Sequence, residues 1–307
     1  MRDKAVTVVI PTLNAYPYIK DSIFSILNQS FQRLEIIAVD GGSTDGTLEF
    51  ISEIEAHDHR VRVIHQDRGR IGEARNIGIR AARYDLIACL DADDVSYPNR
   101  LEVQVKFLEE NPEIVFVSCD TEYIDEKGTP LGIIKKHKLK NFLNYDPLVD
   151  GTVPHQGTMY KKDAVLSVGG YRDLPQGEDY DLFLRLSEKY RLGFIPKVLI
   201  GSRILDTGLT MKGFEEQRIY WLYAKDCAKL RRAGSLEIDF EQWYIKNKQR
   251  INKKRRNWRG QKLFTMAGVY LTKHNYFKAM GYAVMSTILN PIYVLSKIQT
   301  YNLVKRG

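Results

Sequence analysis

The sequence predicts an α/β domain on a mostly parallel sheet with helices on both faces, followed by an all-helical C-terminal extension. Three observations predict it. Apolar runs alternate with amphipathic stretches over short links from Ala5 to Ile200, the pattern of βαβ units. The runs at Val6–Ile10, Leu34–Val39 and Leu86–Leu90 are apolar apart from Thr7 and Glu35, close to what strands covered on both faces require. Charge divides unevenly, with 20 Lys/Arg and 6 Asp/Glu from Met211 onward against 26 and 32 before it. An acidic body therefore carries a basic tail, which suggests an anionic partner for the tail. The expected division is residues 1–210 for the α/β domain and 211–307 for the extension.

Each element has a local reason. Ala5 to Ile10 reads as a strand closed by Pro11. Pro17 to Gln29 carries Ile19, Ile23, Ile26 and Leu27 at helical spacing. Leu34 to Val39 is a second strand ending at Asp40, followed by a turn over residues 41–47 in which Ser43 or Asp45 can cap the next helix. Val61 to Ile64 is a third strand, Gly72 to Ala82 a small-residue helix, and Leu86 to Leu90 a fourth strand. A helix from Pro98 to Glu110 and a strand from Ile114 to Ser118 follow, with a turn at Asp125–Gly128. Then come a short strand at Gly157–Tyr160, a turn at Gly169-Gly170, a helix from Asp179 to Tyr190 and a strand from Leu192 to Ile200. Beyond Met211 only helical patterns appear, with a hairpin turning near His274-Asn275 and a break at Asn290-Pro291.

Composition narrows the class. With 307 residues, 44% hydrophobic and 27% charged, the chain can bury a sizeable core and is not of the disordered type. Three scattered cysteines, Cys89, Cys119 and Cys227, show neither a disulfide framework nor metal spacing, so a reducing compartment is expected. The first apolar run is too short for a secretory leader. Expected localisation is cytoplasmic, or peripheral on the inner face of a membrane.

The acidic stretch Asp91-Ala92-Asp93-Asp94 ends the fourth strand. Ligands bind outside the carboxyl ends of strands in open α/β sheets. Mg²⁺ or a similar hard cation takes one or two carboxylates plus substrate phosphates, so Asp91 and Asp93 are candidate metal ligands. The alternative is an acidic turn that caps the following helix. Asp40, followed by Gly41-Gly42, can accept from a nucleobase or ribose, or can merely cap its turn. Asp67, Gly69, Arg75 and Asn76 cluster before and within a Gly-rich helix, where phosphate is favoured; simple packing on the sheet is the competing reading. His155, beside Gly157, can meet a diphosphate or an acceptor, or serve the core. Glu178-Asp179-Tyr180-Asp181 opens a helix, where acids suit the dipole; a carboxylate held in a cleft is also how an acceptor hydroxyl loses its proton.

Together these stretches resemble family 2 glycosyltransferases. The resemblance rests on Val8–Asn14, Val39–Thr47, Ala74–Gly78, Leu90–Asp94, Gly169–Tyr171 and Glu178–Leu182, six motifs in order over roughly residues 5–210. It implies a GT-A fold, a nucleotide-diphosphate sugar donor, most often a UDP-sugar, and inversion at the anomeric carbon. Residues 1–110 would bind the donor and 111–210 the acceptor. Asp40 would hold the base beside Pro11, Thr12, Asn14 and Gly41. Asp67, Gly69, Arg75, Asn76 and Asp91 would line the rest of the donor site. Asp93, with Asp91, would bind Mn²⁺ or Mg²⁺. Asp179 would be the general base, with Glu178, His155 and Gly170 in the acceptor and diphosphate region. A hydroxyl acceptor, lipid-linked in one version, fits polysaccharide or glycolipid synthesis. Two other classes stay open: a catalytically silent nucleotide-sugar-binding module and a nucleotidyltransferase. The latter needs a Gly-rich basic loop after the first strand, and Pro11–Asn14 does not supply it.

One departure stands out. Many family members place a histidine metal ligand after the last strand, whereas Leu205 stands there, with Asp206 as a candidate substitute. In the tail, Lys246 to Lys262 holds nine basic residues and no acid. A solvated helix face, an anionic membrane surface met through residues 246–307, and nucleic acid are the readings; the last is not expected, because no reader motif accompanies the charge. The sequence does not fix the oligomeric state.

Overall fold

The computed structural model describes residues 4–67, 69–134, 142–205 and 213–304. It divides into two compact units, Met1–Arg203 and Ile204–Gly307.

In the first unit the elements run β1 (Val6–Thr12), α1 (Ile19–Leu27), β2 (Leu34–Asp40), α2 (Thr47–His57), β3 (Val61–His65), α3 (Ile71–Ala81), β4 (Leu86–Cys89), β5 (Val95–Ser96) and α4 (Arg100–Glu110). Then follow β6 (Ile114–Ile124), β7 (Pro130–Ile134), α5 (Pro147–Asp150), β8 (Met159–Lys161), α6 (Lys162–Ser167), α7 (Glu178–Ser187) and β9 (Arg191–Arg203). The strands form one sheet in the order β3-β2-β1-β4-β8-β6-β9-β5, with β7 on β6. Pairing is parallel across β3-β2-β1-β4 and between β6 and β9; β8, β5 and β7 pair antiparallel. The carboxyl ends of β1, β2 and β4 therefore share one edge.

Side chains alternate across the strands and build two cores. Val8 and Ile10 face one core, with Ile19, Ile23 and Ile26 of α1 and Leu101 and Val105 of α4. Val9, Ile37 and Val39 face the other, with Ile79 of α3 and Leu182, Phe183 and Leu186 of α7. Fully burying each such side chain stabilises the fold by about 1.5–3 kcal/mol relative to exposure. Helix α3 lies very close to the sheet, because an added Cβ at Gly78 would stand 2.5 Å from Val9 Cγ1.

Strand β1 runs through Pro11 to Thr12, past its expected end. Val9 accepts from Leu90 N–H on the β4 side, and Pro11, two residues on, faces the same way. Pairing with β4 has ended by then, at Cys89, so no ladder bond is lost to the missing N–H. Strands β6 and β9 also outrun their expected ends. They pair with each other up to Ile124 and Arg203, through register shifts.

The second unit is helical: α8 (Phe214–Arg232), α9 (Phe240–Thr272), α10 (Tyr276–Leu289) and α11 (Pro291–Val304). Asp239 caps α9 and Asn275 caps α10. Tyr220 stacks on Phe240 at 4.4 Å, and Trp243 donates to Asp226 at 3.0 Å, joining α8 to α9. Ser286 donates to the Gly260 carbonyl at 2.7 Å, and Tyr282 stacks on Tyr270 at 5.4 Å, joining α10 to α9. Among the described residues no helix is long and apolar enough to cross a membrane.

Candidate active site

The carboxyl end of β2 delivers Asp40, fully buried. Its Oδ2 accepts from the N–H groups of Gly42 (2.9 Å) and Ser43 (3.0 Å). Its Oδ1 has no partner, and neither has the buried Oγ1 of Thr12, which stands in register with Asp40 on β1. Unpartnered buried acceptors are rare and costly; here two lie side by side at a strand edge. A hollow of about 370 Å³ lined by Gly41, Gly42, Gln66 and Asp67 opens beside them. Gly69 closes on Gln66 so tightly that a Cβ there would stand 1.8 Å from its Nε2.

Asn14, at φ +50°, braces this end of the sheet. Its Oδ1 accepts from Thr44 N–H at 2.8 Å, and its own N–H donates to Ser43 Oγ at 2.9 Å. The N–H groups of Ala15 and Tyr16 donate to Thr47 Oγ1, and that of Tyr16 also to Asp45. Asp45 in turn accepts from the Thr47 N–H at 3.1 Å.

The centre of the site is Arg75 on α3, 4% exposed. Nη2 donates to Asp91 at 3.1 Å and Nη1 to Glu178 at 2.5 Å. Its guanidinium lies 5.5 Å from the Tyr171 ring. Burial disfavours its charge, but Asp91 and Glu178 outweigh burial and hold its pKa above the ordinary value. This pairing brings the end of β4 and the start of α7 together. Asp179 is partly buried beside Glu178. Burial first, and then the Glu178 charge, push its pKa up to about 7, while Arg75 pulls the other way.

Asp93 follows the same logic, pushed up to about 6 by burial and by the neighbouring charge of Asp91. Asp94 is raised further by burial, Asp93 and Asp91. Among the described residues no three His, Cys, Asp or Glu side chains converge as a metal cage. Mg²⁺ and Mn²⁺ need none where phosphates complete the shell. Crowded carboxylates raised by one another's charge are a donor set that a cation would relieve, so the residues present fit such an ion. Leu205 lies at the start of the second unit, and Asp206 lies outside the described residues, as does Arg68.

Other expected site residues have defined partners. Asn76 is tied to the backbone of Tyr171, donating to its carbonyl and accepting from its N–H, both at 2.8 Å. Gly170, at φ +67°, lets that approach happen, since a Cβ would stand 2.5 Å from Asn76 Oδ1. His155 is buried, with Nε2 2.7 Å from Tyr171 Oη and Nδ1 unpartnered. Burial, with Arg75 and Arg100 nearby, keeps its pKa well below the usual range, hence neutral. Asp181 pairs with Arg185 at 2.8 Å, and Arg185 donates to the carbonyls of Val168 and Gly170.

With this geometry in view, the comparisons are direct. The model of "Glycosyl transferase family 2" matches residues 7–168. The chain belongs to glycosyl transferase family 2. A glycosyltransferase of Methanocaldococcus jannaschii, MJ1057, is 33% identical over 225 residues, covering 71% of this chain and 77% of its own. The match spans only 29% and 34% of the length of two longer Rickettsia relatives. Among solved structures, Staphylococcus aureus TarS residues 1–349 in complex with UDP superposes with a TM-score of 0.60 at 14% identity, covering 92% of this chain and 91% of that one. The mannosyltransferase PcManGT of Pyrobaculum calidifontis, in complex with GDP-Man and Mn²⁺, gives 0.59 at 18% identity, covering 98% and 80%. These likenesses show that the family 2 chain has the GT-A fold.

Sequence reasoning on this family 2 chain missed Arg203. Its N–H donates to Asp94 at 2.7 Å, its Nε to the Asp93 carbonyl at 2.9 Å, and its Nη2 to Asp21 at 2.8 Å. It also missed Arg100, fully buried, whose Nη2 donates to the carbonyls of Cys89 and Thr158. Arg203 holds the carboxylate turn directly, and Arg100 holds the end of β4 that leads into it. Partners 109 and 58 residues away leave no local signal.

Proposed function

We propose that the chain is an inverting glycosyltransferase that moves a sugar from a nucleotide-diphosphate donor, a UDP-sugar by preference, to a hydroxyl acceptor in polysaccharide or glycolipid synthesis. The observation that carries this reading is Asp179, a carboxylate with a pKa pushed up to about 7, held next to the Arg75 bridge between Asp91 and Glu178. A general base works best with a pKa near the operating pH.

Asp40 Oδ1 and Thr12 Oγ1 would receive the base, whose imide N–H matches an unpartnered acceptor. Pro11, Asn14, Gly41, Asp67 and Gly69 shape that end, and Asn76 holds α3 to the 170–171 turn. Asp93, with Asp91, would hold Mn²⁺ or Mg²⁺, which when bound offsets negative charge on the diphosphate. Arg75 orients Asp91 and Glu178. The acceptor O–H gives its proton to Asp179 as the oxygen bonds to the anomeric carbon. The bond from that carbon to the diphosphate oxygen breaks on the opposite face, which inverts the centre. His155 and Gly170 support the acceptor side through Tyr171 and Arg185. Residues 1–110 serve the donor and 111–210 the acceptor. The basic tail is assigned to the inner face of a membrane, where a lipid-linked acceptor is presented.

Complexes of UDP with TarS and of GDP-Man and Mn²⁺ with PcManGT support the donor and metal parts. The test is calorimetry with UDP and GDP, with and without Mn²⁺, followed by a sugar-nucleotide panel read by nucleoside diphosphate release. Metal-dependent UDP binding and release from at least one UDP-sugar are expected. Failure of every nucleotide to bind would overturn the reading.

A further inference from the structure

The second unit carries an apolar face that its own helices leave uncovered. Helix α10 packs on α9 through Ala279, Tyr282 and Ser286. At 100° per residue the opposite side of α10 is Phe277, Met280, Val284 and Ile288. These are 84%, 62%, 53% and 58% exposed. Ile292 and Leu295, on α11, are exposed as well. Contiguous exposed apolar residues of this kind mark an interaction surface.

Charge says what the surface meets. From Gln242 to Gly307 there are 14 Lys/Arg and no Asp/Glu. Lys273 and Lys278 stand at the amino-terminal end of α10, both exposed. Arg256 donates to the Ile288 carbonyl at 3.2 Å, at its carboxyl-terminal end. Lys297 follows on α11. A second copy of the chain would bring like charges together around this strip, which is costly. An anionic bilayer presents opposite charge around an apolar interior, and an apolar strip rimmed by Lys/Arg is the pattern of a helix lying in the interface.

We propose that α10 lies in the headgroup region of an anionic membrane, with Phe277, Met280, Val284 and Ile288 turned into the acyl boundary and Lys273, Lys278 and Lys297 on the headgroups. This deepens the membrane part of the proposed function. Vesicle binding needs no donor sugar, so its failure and the failure of the transfer reading are separate results.

The test is co-sedimentation of the full chain with vesicles of phosphatidylcholine alone or mixed with phosphatidylglycerol, at low and high salt. Wild type should bind the mixed vesicles, less at high salt as the Debye length falls from ~10 Å at 0.1 M to ~3 Å at 1 M. Lys273→Gln/Lys278→Gln/Lys297→Gln should lower partition on the order of 10²-fold at low salt, at roughly a tenfold or less per charge. Phe277→Gln/Val284→Gln/Ile288→Gln changes exposed side chains only, and should abolish the binding that survives high salt. Wild-type-like binding by that apolar variant would overturn insertion. So would absence of vesicle binding, and so would a concentration-dependent dimer, lost in the apolar variant, that binds no vesicles.

Discussion

Arg75 and Glu178 meet at 2.5 Å across 103 residues of chain, both buried. This contact fixes the start of α7 against α3, and it sets the field around Asp179. Removing one partner of a buried pair leaves an uncompensated charge, at about 3–5 kcal/mol. Arg75→Met should therefore lower the thermal midpoint. It should also raise the Asp179 pKa, because Arg75 pulls that pKa down. The acid limb of kcat/KM should move above its wild-type position, whereas a loss of stability with an unmoved limb would separate Arg75 from the base.

Asp179→Asn keeps the shape and cannot take a proton. Transfer should fall by on the order of 10²–10⁴-fold, with nucleotide affinity retained by calorimetry. Near-wild-type turnover would leave Asp179 as a helix-start residue only.

The same substitution should show a pH-dependent gain in stability. Burial and the Glu178 charge push the folded pKa of Asp179 up to about 7, above the ordinary carboxylate value of 3.8. Between those values the native state holds the extra proton, so stability falls as pH rises through them. Asp179→Asn should be more stable than wild type at pH ~8, with the gap closing toward pH ~4. Denaturant midpoints across that range check it, and a gap that widens on acidification would contradict the assignment.

Asp93→Asn should abolish the Mn²⁺-dependent part of nucleotide binding, since a carboxylate that would hold the cation is gone. Calorimetry with UDP, with and without Mn²⁺, reads it. An unchanged metal increment would remove Asp93 from the site.

Gly78→Ala should destabilise the first unit by about 1–3 kcal/mol, the cost of overpacking, because the new methyl would stand 2.5 Å from Val9 Cγ1 and 3.4 Å from Val39 Cγ2. Adding Val9→Ala should recover part of the loss, a coupling that a double-mutant cycle measures directly.

The first half of the α/β unit was the more legible from sequence. Strands at Val6, Leu34 and Leu86 are buried on both faces, so they read as apolar runs interrupted only at Thr7 and Glu35. Helix α3 was legible as a small-residue segment, but only the structure shows that Gly78 sits against Val9 and Gly170 against Asn76. Just past Ser118 the signal fails, although the strand near Gly157–Tyr160, the helix from Asp179 and the strand from Leu192 were legible. Strand β6 continues through Asp120, Thr121 and Glu122, whose polarity reads as loop, because β9 pairs beside them and Tyr97 donates to Glu122. The two-residue β5 and the short α5 and α6 are too brief to carry a period. At the site, the carboxylates announced themselves by clustering and Arg75 by its place in the Gly-rich helix, while Arg100 and Arg203 did not. These two reach partners as far as 58 and 182 residues away.

Asn14, Ala15 and Tyr16 are joined to Ser43, Thr44, Asp45 and Thr47 by hydrogen bonds within the protein itself. Both loops are therefore already in one arrangement, and the conformational entropy of ordering them is charged to folding rather than to each encounter with a donor. Loosening the latch, for example at Asn14, should weaken nucleotide affinity chiefly through an entropic penalty, leaving the enthalpy of the contacts themselves nearly unchanged.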